Sequence, residues 1–510
     1  MNTKIYQYIG GTLMFLLLGL TYSCKKDLGN YEYTDTAVPR LDTTGISANF
    51  SIERYAVLTI NPGIQFNAAD TGRLNYQWLL YKALSGSVTE PPATKVIGTS
   101  RRLSTAIGEP IGSYQLELVV TDTKNDLKSN VIFNLNITTN LEYGVMVLHT
   151  RSNGGDVDFL ITRNAVPTVT ADRWLKNIYS QSQGMTLPGD ARFIEQSRKS
   201  NSTENWINVA SSTQITRVSG SDFGFIRENA GYFLRPAEVI NPQAYVLSTT
   251  SLFDMLINNN RMYFINSTDP RAAIFPGAVT GDYSLAPFIA EASASSIVGA
   301  VYDTKKLKFM HPVSSNVMVD FRTPAASTQP FDLTNIGKTI IGMDRGFSNQ
   351  TLNFFKDLTG NGRWLYVTNF NKADDGLMAV ARYDMTALPD VTNATIFRSS
   401  EYGYAAFYAT AHDVYLYDYA GTNTAKKAFS VPAAETITSM KIFKPKPNFN
   451  LSATDGRLLY IGTWDGAVGR VYELRINAVS GEVEPTALNK FEGFGRVVDI
   501  TAKGRGAGTL

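Results

Sequence analysis

Imidazole is the usual general base and metal ligand near neutral pH, and the chain carries it at three positions, His149, His311 and His412. They lie far apart in sequence. None belongs to an HExxH or other paired spacing that would hold a metal on one helix face, so structural roles are expected for all three. Gly337-Lys338-Thr339 matches the end of a phosphate-binding loop. Asp332 stands where that loop needs its first glycine, so the backbone cradle is not encoded. No Gly-x-Ser-x-Gly elbow occurs. The run Asp357-Leu358-Thr359-Gly360-Asn361-Gly362 has the opening spacing of a calcium loop, but position 12 falls on Thr368 where a bidentate glutamate is needed. It reads as a hairpin turn, and so does Asp374-Asp375-Gly376. Asp and Glu together number 45, which offers many pairs for glycoside hydrolysis. The separation that makes such a pair work is set by the fold and not by the sequence.

Aromatic residues extend the search to binding. Trp464 lies in the turn Gly462-Thr463-Trp464-Asp465-Gly466, where its ring can stack on a sugar or a peptide side chain, or cover the edge of a neighbouring sheet. It is the candidate ligand-binding residue, and the ligand itself is not legible. Trp78 belongs to a core. Tyr415, Tyr417 and Tyr419 share one strand face by their period of two and should pack between adjoining sheets.

The single cysteine, Cys24, excludes an intrachain disulfide and any CxxC metal site. It follows a basic start at Lys4 and the apolar run Leu13–Leu20, the pattern of a secretory signal peptide over residues 1–23. The segment Leu20-Thr21-Tyr22-Ser23-Cys24 resembles a bacterial lipobox, with Thr21 in place of the usual aliphatic residue. That resemblance implies acylation of Cys24 and a lipid anchor; acyl chains partition at about 0.8 kcal/mol per buried CH₂. Lys25-Lys26-Asp27 resembles the export tags of Bacteroidetes surface lipoproteins, which implies an outer-membrane location facing the cell exterior. Loss of residues 1–23 leaves 46 basic and 45 acidic side chains. A balance this even argues against nucleic acid as a partner.

Elements able to hold such residues are strands. Tyr, Phe and Gly number 26, 27 and 40 in 510 residues, a composition that favours sheets and tight turns. Residues 24–45 read as an acylated tether. Between 46 and 139, Tyr76, Trp78 and Leu80 alternate on one face, as do Tyr114, Leu116, Leu118 and Val120, and Val131, Phe133, Leu135 and Ile137. Two alternating strands about the turn cluster Thr121–Asp126 make a hairpin, and the whole reads as a β-sandwich. Residues 140–510 repeat a two-part unit of apolar strand, polar turn and aromatic strand. Instances start at Tyr143, Phe223, Arg261, Val298, Arg363, Tyr404 and Arg457. Seven units of about 53 residues lie near the length of a propeller repeat. Their spacing is uneven, which leaves room for six or eight blades and for a missed blade near Trp206-Ile207-Asn208-Val209. The expected fold is therefore all-β: an immunoglobulin-like sandwich followed by a β-propeller of about seven blades.

The Tyr-x-Trp and Gly-x-Tyr-x-Leu-x-Leu-x-Val-Thr-Asp patterns resemble a polycystic-kidney-disease (PKD)-type module. Together with Gly29-Asn30-Tyr31-Glu32-Tyr33 and the closing Gly493-Phe494-Gly495-Arg496-Val497-Val498-Asp499-Ile500, they resemble the PKD-like family lipoproteins of Bacteroidetes. That resemblance implies an accessory surface protein of a SusC/SusD-type TonB-dependent uptake system, capturing glycan or peptide, without a cofactor. The leading expectation is a non-catalytic protein. A propeller-type hydrolase or lyase, or a purely structural envelope protein, are the alternatives.

Overall fold

The computed structural model describes residues 38–504 apart from 67–71, 84–92, 140, 199–204, 236–238, 249–252, 267–273, 293–296, 324–328 and 446–454. Cys24, the leader and most of the tether lie outside the described residues. By contacts the chain divides into two units: one is built around 59–105 and 114–134, and the other holds 51–58, 106–113 and 135 onward.

In the first unit, alternation along Gly112–Asp122 buries Tyr114, Leu116, Leu118 and Val120. The chain reverses into Leu127–Thr138, which buries Phe133, Leu135 and Ile137 and exposes Asn130, Asn134 and Asn136. The turn starts two residues later than the sequence pattern implies. Thr121 and Asp122 go on pairing with Asn75 and Leu74, and Arg73 holds the buried Asp122 carboxylate through two bonds of 2.7 and 2.8 Å. The sheet runs in the order Asn49–Glu53, Leu127–Thr138, Gly112–Asp122, Leu74–Lys82, Lys95–Gly98. Trp78 is fully buried, stacks on Phe133 with ring centroids 6.1 Å apart and donates Nε1–H to the Ser100 carbonyl at 2.9 Å. A Cβ on Gly98 would lie 2.9 Å from Leu103 and 3.2 Å from the Trp78 ring, so only glycine fits beside that indole.

From Gly144 onward the described strands form seven sheets. Blade 1 has Gly144–Arg151, Gly154–Ile161 and Arg173–Leu175, and is completed by the last strand, Arg496–Lys503. Blade 2 spans Ala191 to Glu228, blade 3 Pro242 to Asn266, blade 4 Leu285 to Asp320, blade 5 Thr339 to Asp384, blade 6 Ile396 to Ser430 and blade 7 Thr436 to Phe494. Each is an antiparallel meander. Six have four strands, and blade 3 has three among the described residues.

The inner strands are Arg496–Lys503, Ala191–Arg198, Pro242–Leu247, Leu285–Glu291, Thr339–Arg345, Ile396–Ser399 and Thr436–Ile442. Each touches the next, and the last touches the first. The ring is closed by pairing Arg496–Lys503 with Gly144–Arg151, in the register Met146↔Thr501. Radial stacking of this kind buries faces that no single four-stranded sheet could bury alone. A Cβ on Gly495 would sit 2.2 Å from the Thr150 carbonyl oxygen, which accounts for the glycine just before the closing strand.

The seven sequence units fall one per blade, but at different strands within it. The unit at Tyr143 opens blade 1, while Phe223–Ile226 leads into the fourth strand of blade 2. That difference of phase, and not a missing blade, produces the uneven spacing. Trp206–Val209 is the second strand of blade 2, not an extra sheet. Tyr415, Tyr417 and Tyr419 of blade 6 pack with Leu352, Phe354 and Val367 of blade 5, and Tyr415 stacks on Tyr408 at 4.9 Å.

Blades 2 and 3 share a polar core. Arg217 is fully buried and donates Nε–H to Asn208 Oδ1 and Nη2–H to the Tyr245 hydroxyl, both at 3.0 Å. Tyr245 in turn donates to Asp254 Oδ1 at 2.6 Å. Burial first, and then the Asp254 charge, push the Tyr245 phenol upward, which keeps its proton available for that bond. The guanidinium also lies over the Trp206 and Tyr232 rings at 4.7 and 4.9 Å.

Candidate functional site

The inner strands enclose a cavity of about 340 Å³ along the axis of the propeller. Residues of all seven inner strands, with a few from the segments next to them, form its wall. Seven strands deliver side chains that are distant in sequence. Glu195 comes from blade 2, Phe288 and Glu291 from blade 4, Asp344 and Arg345 from blade 5, Arg398 from blade 6, and Lys441 and Lys444 from blade 7.

These charges interlock where blades 5, 6 and 7 meet. Asp344 Oδ1 accepts the Arg345 N–H at 2.9 Å; Oδ2 accepts the Ser399 N–H at 2.7 Å and Lys444 Nζ at 3.0 Å. Burial acts to raise the Asp344 carboxyl, but the charges of Lys444 and Arg398 outweigh it and hold the group below its ordinary value. Lys444 also donates to the Arg345 carbonyl at 2.6 Å. Arg345 reaches Glu401 Oε1 through Nε at 3.0 Å and Nη2 at 2.5 Å. Lys441 lies 3.6 Å from Glu195; burial would lower its ammonium, yet Asp499 and Glu195 raise it. Arg398 donates Nη1–H to the Phe397 carbonyl at 2.7 Å, and its buried Nε has no hydrogen-bond partner.

Asp455, close to Glu401, Arg345 and Lys444 electrostatically, is pushed up to about 6, first by burial and then by the Glu401 charge. Its Oδ1 is buried without a hydrogen-bond partner. The arrangement can bind: it offers fixed charges of both signs, an aromatic ring and amides inside a concave site.

The residues singled out from sequence lie elsewhere. His149 is buried in blade 1 with Nε2 3.1 Å from Asp158. His311 is buried in blade 4 beneath Phe321, ring centroids 4.7 Å apart. His412 bonds the Glu435 carbonyl through Nδ1 at 2.8 Å. The three are not brought together. Among the described residues no group of three or more His, Cys, Asp or Glu could hold a metal ion.

Lys338 pairs with Asp357 and lies 4.6 Å over the Trp364 ring. Asp357 also accepts Trp364 Nε1–H at 3.0 Å, so the calcium-like run is a hairpin turn between Thr351–Lys356 and Arg363–Thr368. Asp374 caps its own turn through the Gly376 N–H at 2.9 Å. Trp464 is half-buried at the end of the second strand of blade 7, opposite Thr436 and Gly469, and does not line the channel. Its neighbours Thr463 and Asp465 are tied to Glu435 and Arg470 at 2.6 and 2.7 Å. Nothing in sequence spacing marks the channel charges, because they converge only through the ring.

Residues 24–190 match the PKD-like family. The PKD-like match continues beyond the last sandwich strand, Leu127–Thr138, through the first three strands of blade 1. Among solved structures, a quinonprotein alcohol dehydrogenase-like protein of Bacteroides thetaiotaomicron is similar over 91% of this chain and 99% of its own, at 13% identity and a TM-score of 0.50. At that identity the likeness is one of fold, and it supports the propeller. A putative 6-phosphogluconolactonase of Bacteroides uniformis is similar over 84% of this chain and 99% of its own, at 11% identity and a TM-score of 0.33. No curated protein matches the chain. No helix among the described residues is long and apolar enough to cross a membrane.

Proposed function

We propose that this chain is a non-catalytic, lipid-anchored protein of a bacterial outer surface that captures a polar ligand in the axial channel of its propeller. In this reading Cys24 carries the anchor and the body faces the cell exterior. The captured glycan or peptide passes to a SusC/SusD-type transporter. One observation carries the binding role: Asp344 on the channel wall and Glu401 beside it are committed to fixed partners. Asp344 holds two backbone N–H groups and Lys444, and Glu401 holds Arg345. Groups tied in this way recognise and orient better than they move protons. The PKD-like match and the extracellular character of the leader support the location.

The test is recovery of the native lipoprotein from outer membranes. A transporter pair should co-purify with it, and a channel variant, Glu291→Lys, should lose ligand uptake while keeping the pair. Recovery of the protein alone, with uptake untouched by the variant, would remove the accessory role.

A second reading, a hydrolase acting on extracellular polymers, draws on Asp455. Burial and the Glu401 charge push this carboxyl up to about 6, toward the range of a general acid, and it lies outside the channel lining. Turnover of oligosaccharides that disappears in Asp455→Asn would favour it.

A further inference from the structure

Of the four cations on the channel wall, three have a carboxylate within 4.0 Å: Arg345 with Glu401, Lys441 with Glu195 and Lys444 with Asp344. Arg398 has none among the described residues. It gives Nη1–H to a backbone carbonyl, and its buried Nε is left without a partner. The Asp344 carboxylate that feels its charge has both oxygens already engaged. Arg398 is half-buried and lines the channel, and its planar fork matches a carboxylate.

Other groups of the same wall have open valences suited to hydroxyls. Asn371 Oδ1 is buried without a partner. Gln243 uses its Oε1 on the Asn260 N–H at 2.5 Å, which leaves its amide N–H to the channel. Across the cavity, the half-buried Phe288 ring presents an apolar face of the kind on which a pyranose stacks. The volume of about 340 Å³ lies at the lower end for small-ligand pockets.

We infer that Arg398 anchors the carboxylate of an acidic sugar, a hexuronate or a short oligosaccharide ending in one, with Phe288 under the ring and Asn371 and Gln243 on its hydroxyls. This deepens the capture reading and rests on it. It adds a charge class that discriminates among glycans: a neutral sugar offers the guanidinium no carboxylate, whereas a uronate supplies one.

The experiment is calorimetric titration of the full mature chain with sodium D-glucuronate and, separately, with D-glucose, which differ only at C6. Glucuronate should bind at least tenfold more tightly than glucose, and the difference should shrink as salt is raised. Arg398→Met should abolish the difference, Arg398→Lys should retain part of it because the fork is lost but the charge is kept, and Phe288→Ala should weaken both sugars alike. The wild-type comparison needs no variant to fold. Equal affinity for the two sugars, unchanged in Arg398→Met, would overturn the anchor and leave channel capture standing. Binding of neither sugar would overturn the acidic-sugar assignment, and if outer-membrane pull-down also fails to recover a transporter, the capture reading falls with it.

Discussion

Replacing Arg217 by methionine tests whether blades 2 and 3 are held by a buried charge or only by shape. Methionine keeps much of the apolar volume but removes two charge-assisted hydrogen bonds of 3.0 Å, to Asn208 and Tyr245. It also takes away the positive charge that Asp254 feels through Tyr245. Removing one side of a buried, hydrogen-bonded ion arrangement costs about 3–5 kcal/mol. The lost cation–π contacts with Trp206 and Tyr232 add roughly 1 kcal/mol, and the methionine stem returns part of the total. A net loss of about 3–4 kcal/mol is expected.

The assay is urea unfolding of the parent, Arg217→Met, Asp254→Asn and the double variant. If the charge dominates, the double variant loses less than the two single losses added, by about 2 kcal/mol. An Arg217→Met loss below about 1 kcal/mol, or strictly additive losses, would refute the reasoning.

Further outcomes follow from other features. Burial pushes the Lys503 amine down to about 7, where it donates to the Leu141 and Glu142 carbonyls. The unfolded chain then binds that proton more readily, so stability should rise between pH 7 and pH 10 and be lost as pH falls through 7, by up to roughly 4–5 kcal/mol. Lys503→Met should flatten that slope in denaturation curves taken across the range. Trp78→Ala, at a fully buried position, should cost about 3–5 kcal/mol, seen as an earlier unfolding midpoint of the sandwich. Gly495→Ala places a methyl 2.2 Å from the Thr150 oxygen and should cost about 1–3 kcal/mol, read as faster proteolysis of the closing strand. Cys24→Ala should move the protein from the membrane to the soluble fraction, checked by fractionation; continued membrane association would end the anchor reading.

Sequence alternation carried the sandwich well, because burial there follows a strict period of two: Phe133, Leu135 and Ile137 inward, Asn134 and Asn136 outward. It placed the hairpin turn too early, since nothing local shows that Asp122 would be kept in the sheet by Arg73. The number of blades was legible but their phase was not, as strands of one meander look alike whether first or fourth. Arg217 and Arg398 were invisible as special residues. An arginine reads like any other until Asn208, Tyr245 and Asp254 are brought round the buried Arg217, or six other strands round the half-buried Arg398. Trp464 drew notice because aromatic rings in turns stand out, yet the rings that line the polar cavity are Phe193, Tyr245 and Phe288, each set in an ordinary strand.

Closure by Arg496–Lys503 has a temporal consequence. His149 and Gly495, bonded at 3.4 Å, are 346 residues apart along the chain, so blade 1 waits for nearly the whole polypeptide before its last seam can form. Until then the first blade has a raw inner edge and the axial cavity has no seventh wall. The ring therefore completes its circle, and the cavity its wall, only with that final stitch.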